Sequence, residues 1–135
     1  MKKLFSISYS AASFNTAMLL LRIGTGILIF SHGYQKLVNY DSIKGKFLNF
    51  LGMGPEVSLV LTIFAECFCA ILLVLGLFTR LAAIPLLIAM FVAMSSAHNF
   101  DIFGDAEKPA LFFLIFLSIL FLGPGRVSID GMIRK

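Results

Sequence analysis

The stretch Met18–Phe30 reads MLLLRIGTGILIF, and it places a permanent positive charge, Arg22, among leucines and isoleucines. An isolated charge in the middle of a bilayer costs about 2.5–3.5 kcal/mol on insertion scales, and intramembrane charges therefore face the interior of a helix bundle. The stretch predicts a membrane-spanning helix whose charged side chain points at neighbouring helices, where it finds a partner.

The composition of the whole chain agrees with a membrane environment. Of its 135 residues, 59% are hydrophobic and 13% are charged. A soluble domain of this size has too much surface for its volume to hide so many apolar side chains. The net charge of +4 comes without a dense cluster of lysines and arginines. We therefore exclude nucleic acid as a partner and expect the basic residues to record topology and contact with the lipid bilayer.

Four apolar runs predict an all-α protein, a four-transmembrane-helix antiparallel bundle in a single domain covering residues 1–135. A spanning helix needs about 20 residues. The predicted spans cover residues 16–38, 57–78, 81–98 and 106–123. The apolar body of the last run is short, so the fourth helix reaches spanning length only if it begins near Asp105.

The charges of the connecting segments predict the orientation. With four spans, one side of the membrane carries six basic residues, opposed there only by Asp130. The six are Lys2, Lys3, Arg80, Arg126, Arg134 and Lys135. The positive-inside bias makes this side cytoplasmic. We therefore expect a multi-pass protein of the bacterial cytoplasmic (inner) membrane with both termini in the cytoplasm.

The first outer loop contains a further apolar pattern. Ile43, Phe47, Phe50 and Leu51 recur at the spacing of one helical face. The pattern predicts a short amphipathic helix lying on the outer leaflet. An ordered loop that caps the bundle explains it equally well.

Glu66 is the only acid deep inside a predicted span, as Arg22 is the only deep base. Counted at 1.5 Å per residue, Arg22 lies about 9 Å and Glu66 about 18 Å above the cytoplasmic side. A long arginine side chain covers much of this difference in depth. We therefore expect a buried Arg22–Glu66 ion pair. Such a pair either pins two helices together or lines a polar pocket for a headgroup, a quinone carbonyl or a proton.

The two histidines end the first and third predicted spans near the outer face. His32 and His98 are expected to meet at the mouth of the bundle, with Lys36 nearby. Polar boundary residues are the simplest explanation, and a quinone or another small polar ligand is a second one. We expect neither haem nor a metal, because no His-x-x-x-His or Glu-x-x-His spacing occurs.

The cysteines form a C-x-C sequence within the second predicted span. Positions i and i+2 of a helix point about 200° apart, so Cys67 and Cys69 cannot bond to each other there. Cys69 shares the helix face of Glu66. The sequence also lacks nucleotide-binding and serine-hydrolase motifs, so the catalytic residues are unknown.

Three segments together resemble the DoxX family of small bacterial membrane proteins. They are RIGTGILIFSHGYQKL from Arg22, FAECFCAILLVLGLFTRLAAIPL from Phe64, and FLGPGRVSID ending at Asp130. The resemblance implies four transmembrane helices. It also implies a link to thiosulfate:quinone oxidoreductase, in which a DoxD-type subunit is the membrane part, or to complexes that handle oxidative and thiol stress.

The resemblance also carries over a set of candidate residues. These are Arg22, His32, Lys36, Glu66 and Glu107, the last at the position where family members often have a glutamate opening the fourth helix. Lys108 and Pro109 depart from the usual sequence after that glutamate. We therefore expect an outer-face polar cluster of His32, Lys36, His98 and Glu107, suited to an anion or a quinol headgroup.

Two functions from different classes follow. The first is an accessory or membrane-anchor subunit of a quinone-linked redox system, with quinone as its ligand and a redox partner protein. The second is non-enzymatic: a membrane scaffold, a chaperone or a small-solute carrier, for which a second copy of the chain is a natural partner.

Overall fold

The computed structural model describes residues 2–47, 49, 51–97 and 99–133, and every element within them is helical. A short 3₁₀ helix, Lys2–Phe5, precedes the first α-helix. One π-helical turn, Phe64–Cys69, lies between two α-helices, and a second, Ala93–Ala97, extends the end of another. The α-helices are α1 (Ala11–Val38), α2 (Tyr40–Ile43), α3 (Pro55–Ile63), α4 (Ala70–Leu75), α5 (Thr79–Val92), α6 (Glu107–Leu122) and α7 (Ile129–Ile133).

The long helix α1 begins at Ala11, five residues before the predicted start of the first span. Ser10 explains the earlier start, because its side chain accepts a hydrogen bond from the backbone N–H of Ser13 at 3.0 Å. This is the usual N-cap arrangement, which satisfies one of the unpaired donors of the first turn. The earlier start moves Arg22 deeper into the helix than counting from residue 16 suggests.

Helices α3 and α4 are joined by the first π-helical turn into one continuous rod, Pro55–Leu75, which we call the second rod. It ends at Gly76, whose φ of +72° is a left-handed conformation that favours glycine. Helix α5 starts three residues later, at Thr79. The tight turn makes α5 an antiparallel neighbour of the second rod, as the sequence predicts for a short connection.

Two of the rods meet the length and hydropathy expected of a membrane-spanning helix. They are α1, with 28 residues, and the second rod, with 21 residues. The third rod, which is α5 with the π-helical turn after it, is shorter, with an apolar helix at Thr79–Ser95, and the fourth rod, α6, has 16 residues. The four rods overlap the four predicted spans in sequence, and length and composition support a membrane crossing for two of them.

Helix α1 buries Arg22 and small residues on the same face as Met18 and Ile29, and it exposes large apolar residues on its other faces. Arg22 is fully buried, and Thr25 and Gly26 are buried beside it. By contrast, Leu20 and Ile27 are more than half exposed. A water-soluble helix shows the opposite pattern, so this arrangement fits a helix with lipid outside and a polar interior. The predicted inward face of Arg22 is confirmed.

The core lies where the four rods meet. It consists of Met18, Ile29, Ala65, Cys69, Ala70, Leu73, Ala82, Leu86, Met90, Phe116 and Ile119. Helix α5 packs along α6 on one side of this core, and α1 packs along the second rod on the other. Small residues on the second rod and α5 allow close approach between helices where a hydrophobic driving force is weak.

The helix predicted in the first outer loop is shorter than the apolar pattern suggests. Among the residues of this loop that the structure describes, only α2 is helical, and Leu51 is exposed in a turn with a φ of +53°, which ends any helical face there. Phe50 lies outside the described residues. The loop is held to the second rod by Tyr40, whose hydroxyl donates to Glu56 Oε1 at 2.8 Å.

Gly33 offers a test of the close contact between α1 and the second rod. A Cβ atom there would lie 2.7 Å from both Cys67 Sγ and Glu66 Cβ. We expect Gly33→Ala to reduce the free energy of unfolding by about 1–3 kcal/mol, because the two rods must move apart. Gly24→Ala is the matched control, since its Cβ would meet nothing within 4 Å. Equal stability of the two variants in a denaturant titration in detergent would contradict the packing.

Candidate functional site

Two glycines set the register between α1 and the second rod. A Cβ at Gly26 would meet Val74 Cγ2 at 2.4 Å, and one at Gly33 would meet Glu66 and Cys67. The glycines therefore allow contacts that no other residue permits at these two points. Because the helices are antiparallel, residues further along α1 lie level with residues nearer the start of the second rod.

This register brings Lys36 and Glu66 together. Lys36 Nζ lies 2.7 Å from Glu66 Oε2, in a charged hydrogen bond. The glutamate side chain is 5% exposed and the lysine side chain 27% exposed. Pairing offsets part of the cost of placing both charges in the bundle, and the flexible lysine stem lets its ammonium reach toward the polar end of the helix.

The prediction that Arg22 pairs with Glu66 is wrong. Both residues are buried, as expected, but the carboxylate of Glu66 binds Lys36, and the guanidinium of Arg22 binds backbone carbonyls. The reason is depth. The partner carbonyl of Leu73 lies seven residues beyond Glu66, about 10 Å along the helix at 1.5 Å per residue, and an arginine side chain already extended to Leu73 cannot also reach Glu66.

Arg22 instead caps the end of the second rod. Its Nη1 donates to Leu73 O at 3.2 Å and to Val74 O at 3.3 Å, and its Nη2 donates to Val127 O. The last carbonyls of a helix have no intrahelical donor and carry the negative end of the helix dipole. A buried guanidinium is therefore stabilised there without a carboxylate in contact, although Asp130 is close enough to act on it electrostatically.

His32 extends the Lys36–Glu66 pair into a polar site. It lies one turn before Lys36 on α1, it is half-buried, and its charge would act on the Glu66 carboxylate. Its ring also packs edge-on against Phe112 of α6, with centroids 6.3 Å apart. A cavity of about 340 Å³ opens beside it, lined by His32, Gln35, Lys36, Asn39, Ser42 and Ile43. We call Lys36, Glu66, His32 and this cavity the outer site.

The rest of the predicted outer-face cluster does not join this site within the described residues. Glu107 is exposed in the first turn of α6, and no ion pair or hydrogen bond links it to Lys36 or His32 in the part of the chain that the structure describes. His98 lies outside the described residues, so its predicted place beside His32 stays a prediction.

Cys67 is a neighbour of the site that sequence reasoning passed over in favour of Cys69. Its sulfur faces Gly33, and its thiol is within electrostatic reach of both Glu66 and Lys36. Cys69 is buried in the apolar core instead. Glu66, Cys67 and Cys69 all belong to the π-helical turn Phe64–Cys69, which shifts the helical phase by an extra residue. The wider spacing of a π-helical turn places Cys67 closer to the face of Glu66 than a regular 100° count predicts.

The outer site can bind and orient a small polar group. The ammonium of Lys36 has three donors, of which Glu66 occupies one, and His32 has ring nitrogens that donate or accept. A partly exposed cation beside a carboxylate suits the oxygen of a carbonyl, a phenol or an anion at the cavity mouth. The Glu66 carboxylate, 2.7 Å from the Lys36 ammonium, supplies a proton acceptor beside that cation.

Comparisons with known proteins place the chain among bacterial membrane proteins. The DoxX family model matches residues 17–99. The chain is 27% identical over 122 residues to the inner membrane protein YphA of Escherichia coli (strain K12), covering 84% of this chain and 87% of that protein. It is 28% identical over 141 residues to the uncharacterized membrane protein Rv3486 of Mycobacterium tuberculosis, covering 88% and 82%. No solved structure matches.

The two partners of the ion pair should differ in their effect on stability. Lys36→Met leaves the nearly buried Glu66 without its partner. We expect this variant to lower the free energy of unfolding by about 3 kcal/mol. Protonation of Glu66 would reduce that loss, because a neutral carboxyl group costs less to bury. Glu66→Gln should cost less, because Lys36 can turn toward the polar cavity.

A double-mutant cycle in detergent checks this asymmetry. The double variant Lys36→Met, Glu66→Gln should recover stability relative to Lys36→Met alone, because no buried charge is left unpaired. Additive losses would show that the two side chains do not interact in the folded protein.

Proposed function

Because the chain belongs to the DoxX family of bacterial membrane proteins, we propose that it is the membrane subunit of a quinone-linked redox system and that the outer site receives the quinone headgroup. The proposal depends on one observation above all: a charged Lys36–Glu66 pair, 2.7 Å long, lies in the helical bundle, and its lysine also lines a cavity that is bordered mostly by polar side chains. Intramembrane ionisable pairs of this kind mark ligand or proton pathways more often than they serve stability.

The residues of the outer site fit such a headgroup. Lys36 and His32 present donors to a quinone oxygen at the cavity mouth, and Glu66 holds Lys36 in place and can exchange a proton with bound quinol. A bound quinone supplies the redox chemistry: it takes up two electrons and two protons to become quinol. We propose that the electrons come from a redox partner protein whose donor is thiosulfate or a thiol.

We also propose how many times the chain crosses the membrane and on which side its termini lie. The four rods cross the inner membrane as a single domain of residues 1–135, with both termini in the cytoplasm. The support is the distribution of basic side chains, since Arg80 and Arg126 are exposed at the end of the bundle opposite the outer site. In this orientation the outer site opens toward the periplasm, and Arg22 lies toward the cytoplasm.

Quinone binding tests the function. We expect purified protein in lipid nanodiscs to bind a short-chain ubiquinone analogue, and Lys36→Met and Glu66→Gln each to weaken binding about tenfold, the effect of losing one charge-assisted hydrogen bond. The control is Arg80→Gln, which removes an exposed charge at the other end of the bundle and should leave the Kd unchanged. Fluorescence quenching or calorimetry measures the Kd.

Two outcomes would contradict the proposal. Absence of saturable binding would remove the quinone role, and equal weakening by all three variants would show a general effect of charge rather than a site. Proteoliposome flux or stable co-purifying proteins without quinone would then support the carrier or scaffold function instead.

Thiol labelling tests the topology. In a background with Cys67→Ala and Cys69→Ala, single cysteines replace Ser8, Lys44, Phe103 or Met132, all of which are exposed. Four spans with cytoplasmic termini predict that an impermeant maleimide labels Lys44→Cys and Phe103→Cys on intact spheroplasts. Ser8→Cys and Met132→Cys should react only after permeabilisation. Labelling of Lys44→Cys and Phe103→Cys from opposite sides would rule out four spans.

A further inference from the structure

The segment 126–133 runs across the Arg22 end of the bundle, and we call it the terminal strap. It is tied to the rods by polar contacts. Arg126 N donates to Asn15 Oδ1 at 2.9 Å, the guanidinium of Arg22 donates to Val127 O, and Asp130 N donates to Gly76 O at 2.8 Å. The strap therefore contacts both α1 and the turn that follows the second rod.

Asp130 makes the most elaborate of these ties. Its Oδ1 accepts from Phe78 N at 2.8 Å and its Oδ2 accepts from Thr79 N at 2.9 Å. The carboxylate thereby caps the first turn of α5, where backbone donors are unpaired and the helix dipole is positive. Asp130 thus binds the start of α5 through its side chain, and it binds Gly76, at the end of the second rod, through its backbone N–H.

Apolar packing contributes little to holding the strap. Ser128 is buried and Ile129 is half-buried, but Val127, Met132 and Ile133 are each more than half exposed. A cavity of about 450 Å³, lined in part by Pro124, Asp130 and Gly131, opens beside these contacts. Segments with few buried apolar contacts and solvent-accessible hydrogen bonds open at a lower free energy than the core around them.

The closed strap leaves two buried polar atoms without a hydrogen-bond partner in the part of the chain that the structure describes. They are Arg22 Nε and Thr79 Oγ1, on side chains that are fully buried. Such atoms are costly in an apolar interior, and water that reaches them recovers part of that cost. Hydration of these two atoms therefore offsets part of the cost of opening the strap.

We propose that the terminal strap is a gate, latched by Asp130, that opens locally and admits water to the bundle interior beside Arg22. Arg22 is a positioning residue in this device, because it holds the strap through the Val127 carbonyl. The gate lies at the end of the bundle opposite the outer site, so the interior has one polar access at each end. The gate does not depend on quinone binding.

Hydrogen–deuterium exchange of the protein in nanodiscs tests the gate. In the unmodified protein, the amides of Phe78, Thr79 and Asp130 should exchange much faster than core amides of α1 and α6, since the strap opens without unfolding of the rods. Asp130→Asn should speed exchange of these amides about tenfold or more, because it removes charged acceptors, and leave the core amides unchanged. Exchange of strap and core amides at one common rate would overturn the gate.

A second variant loosens the strap without changing a charge. A Cβ at Gly76 would lie 2.3 Å from Arg22 Nη1 and 2.4 Å from Ser128 Cβ, so Gly76→Ala should displace the strap and speed exchange of the same amides. Gly52→Ala is the matched control. Gly52 has a φ of +75°, close to the +72° of Gly76, but its Cβ would meet nothing within 4 Å. Equal exchange in the two variants would contradict the contact.

Water entry has its own readout. In the background with Cys67→Ala and Cys69→Ala, Thr79→Cys places a thiol at a buried position of the gate. Its reaction with a small water-soluble maleimide should be several-fold faster when Asp130→Asn is added. An unchanged labelling rate alongside faster amide exchange would show that the strap moves while the interior stays dry, and the proposal would fail.

Discussion

The close approach of α1 and the second rod at Gly26 and Gly33 determines the position of every charged group inside this bundle. In a membrane, helices gain little from burying apolar surface, and small residues let them approach closely enough for dispersion contacts to act. The two glycines leave only one register in which the helices fit, since a Cβ at either position would overlap the opposite rod. In this register Lys36 binds Glu66, and Arg22 binds the carbonyl groups at the end of the second rod.

The cations Arg22 and Lys36 are stabilised in different ways. Lys36 is a compact, flexible charge that meets a carboxylate near the end of its helix, where the ammonium retains partial access to a polar cavity. Arg22 has a planar guanidinium with several fixed donors, and it binds three carbonyls at the end of a helix and on the terminal strap. The same interior thus contains a polar site open at one end and a closed, backbone-bonded cap at the other.

The two polar regions suggest a division of roles along the bundle. The π-helical turn at Phe64–Cys69 places Glu66 and Cys67 against α1 at the outer site, and turns of this kind recur at functional sites because they reposition side chains at the cost of regular hydrogen bonding. At the other end, Asp130 caps the first turn of α5, Gly76 ends the second rod in a left-handed conformation, and Arg22 binds the last carbonyls of that rod. These contacts join α1, the second rod, α5 and the strap. The proposed ligand site belongs to the first region and the proposed gate to the second.

The amino-acid sequence by itself determined that the chain is helical, that it suits a membrane, and that Arg22 and Glu66 lie inside, because composition and helical periodicity report the environment of each residue. Only the tertiary structure decided which charge meets which. Depths counted along the two helices differ by about 9 Å, and the arginine side chain bonds the carbonyls level with it instead of spanning that difference. The π-helical turn around Glu66 also changes the helical phase. Pairing depends on the register between helices, and that register is fixed by glycine contacts across the interface rather than by any pattern along one segment.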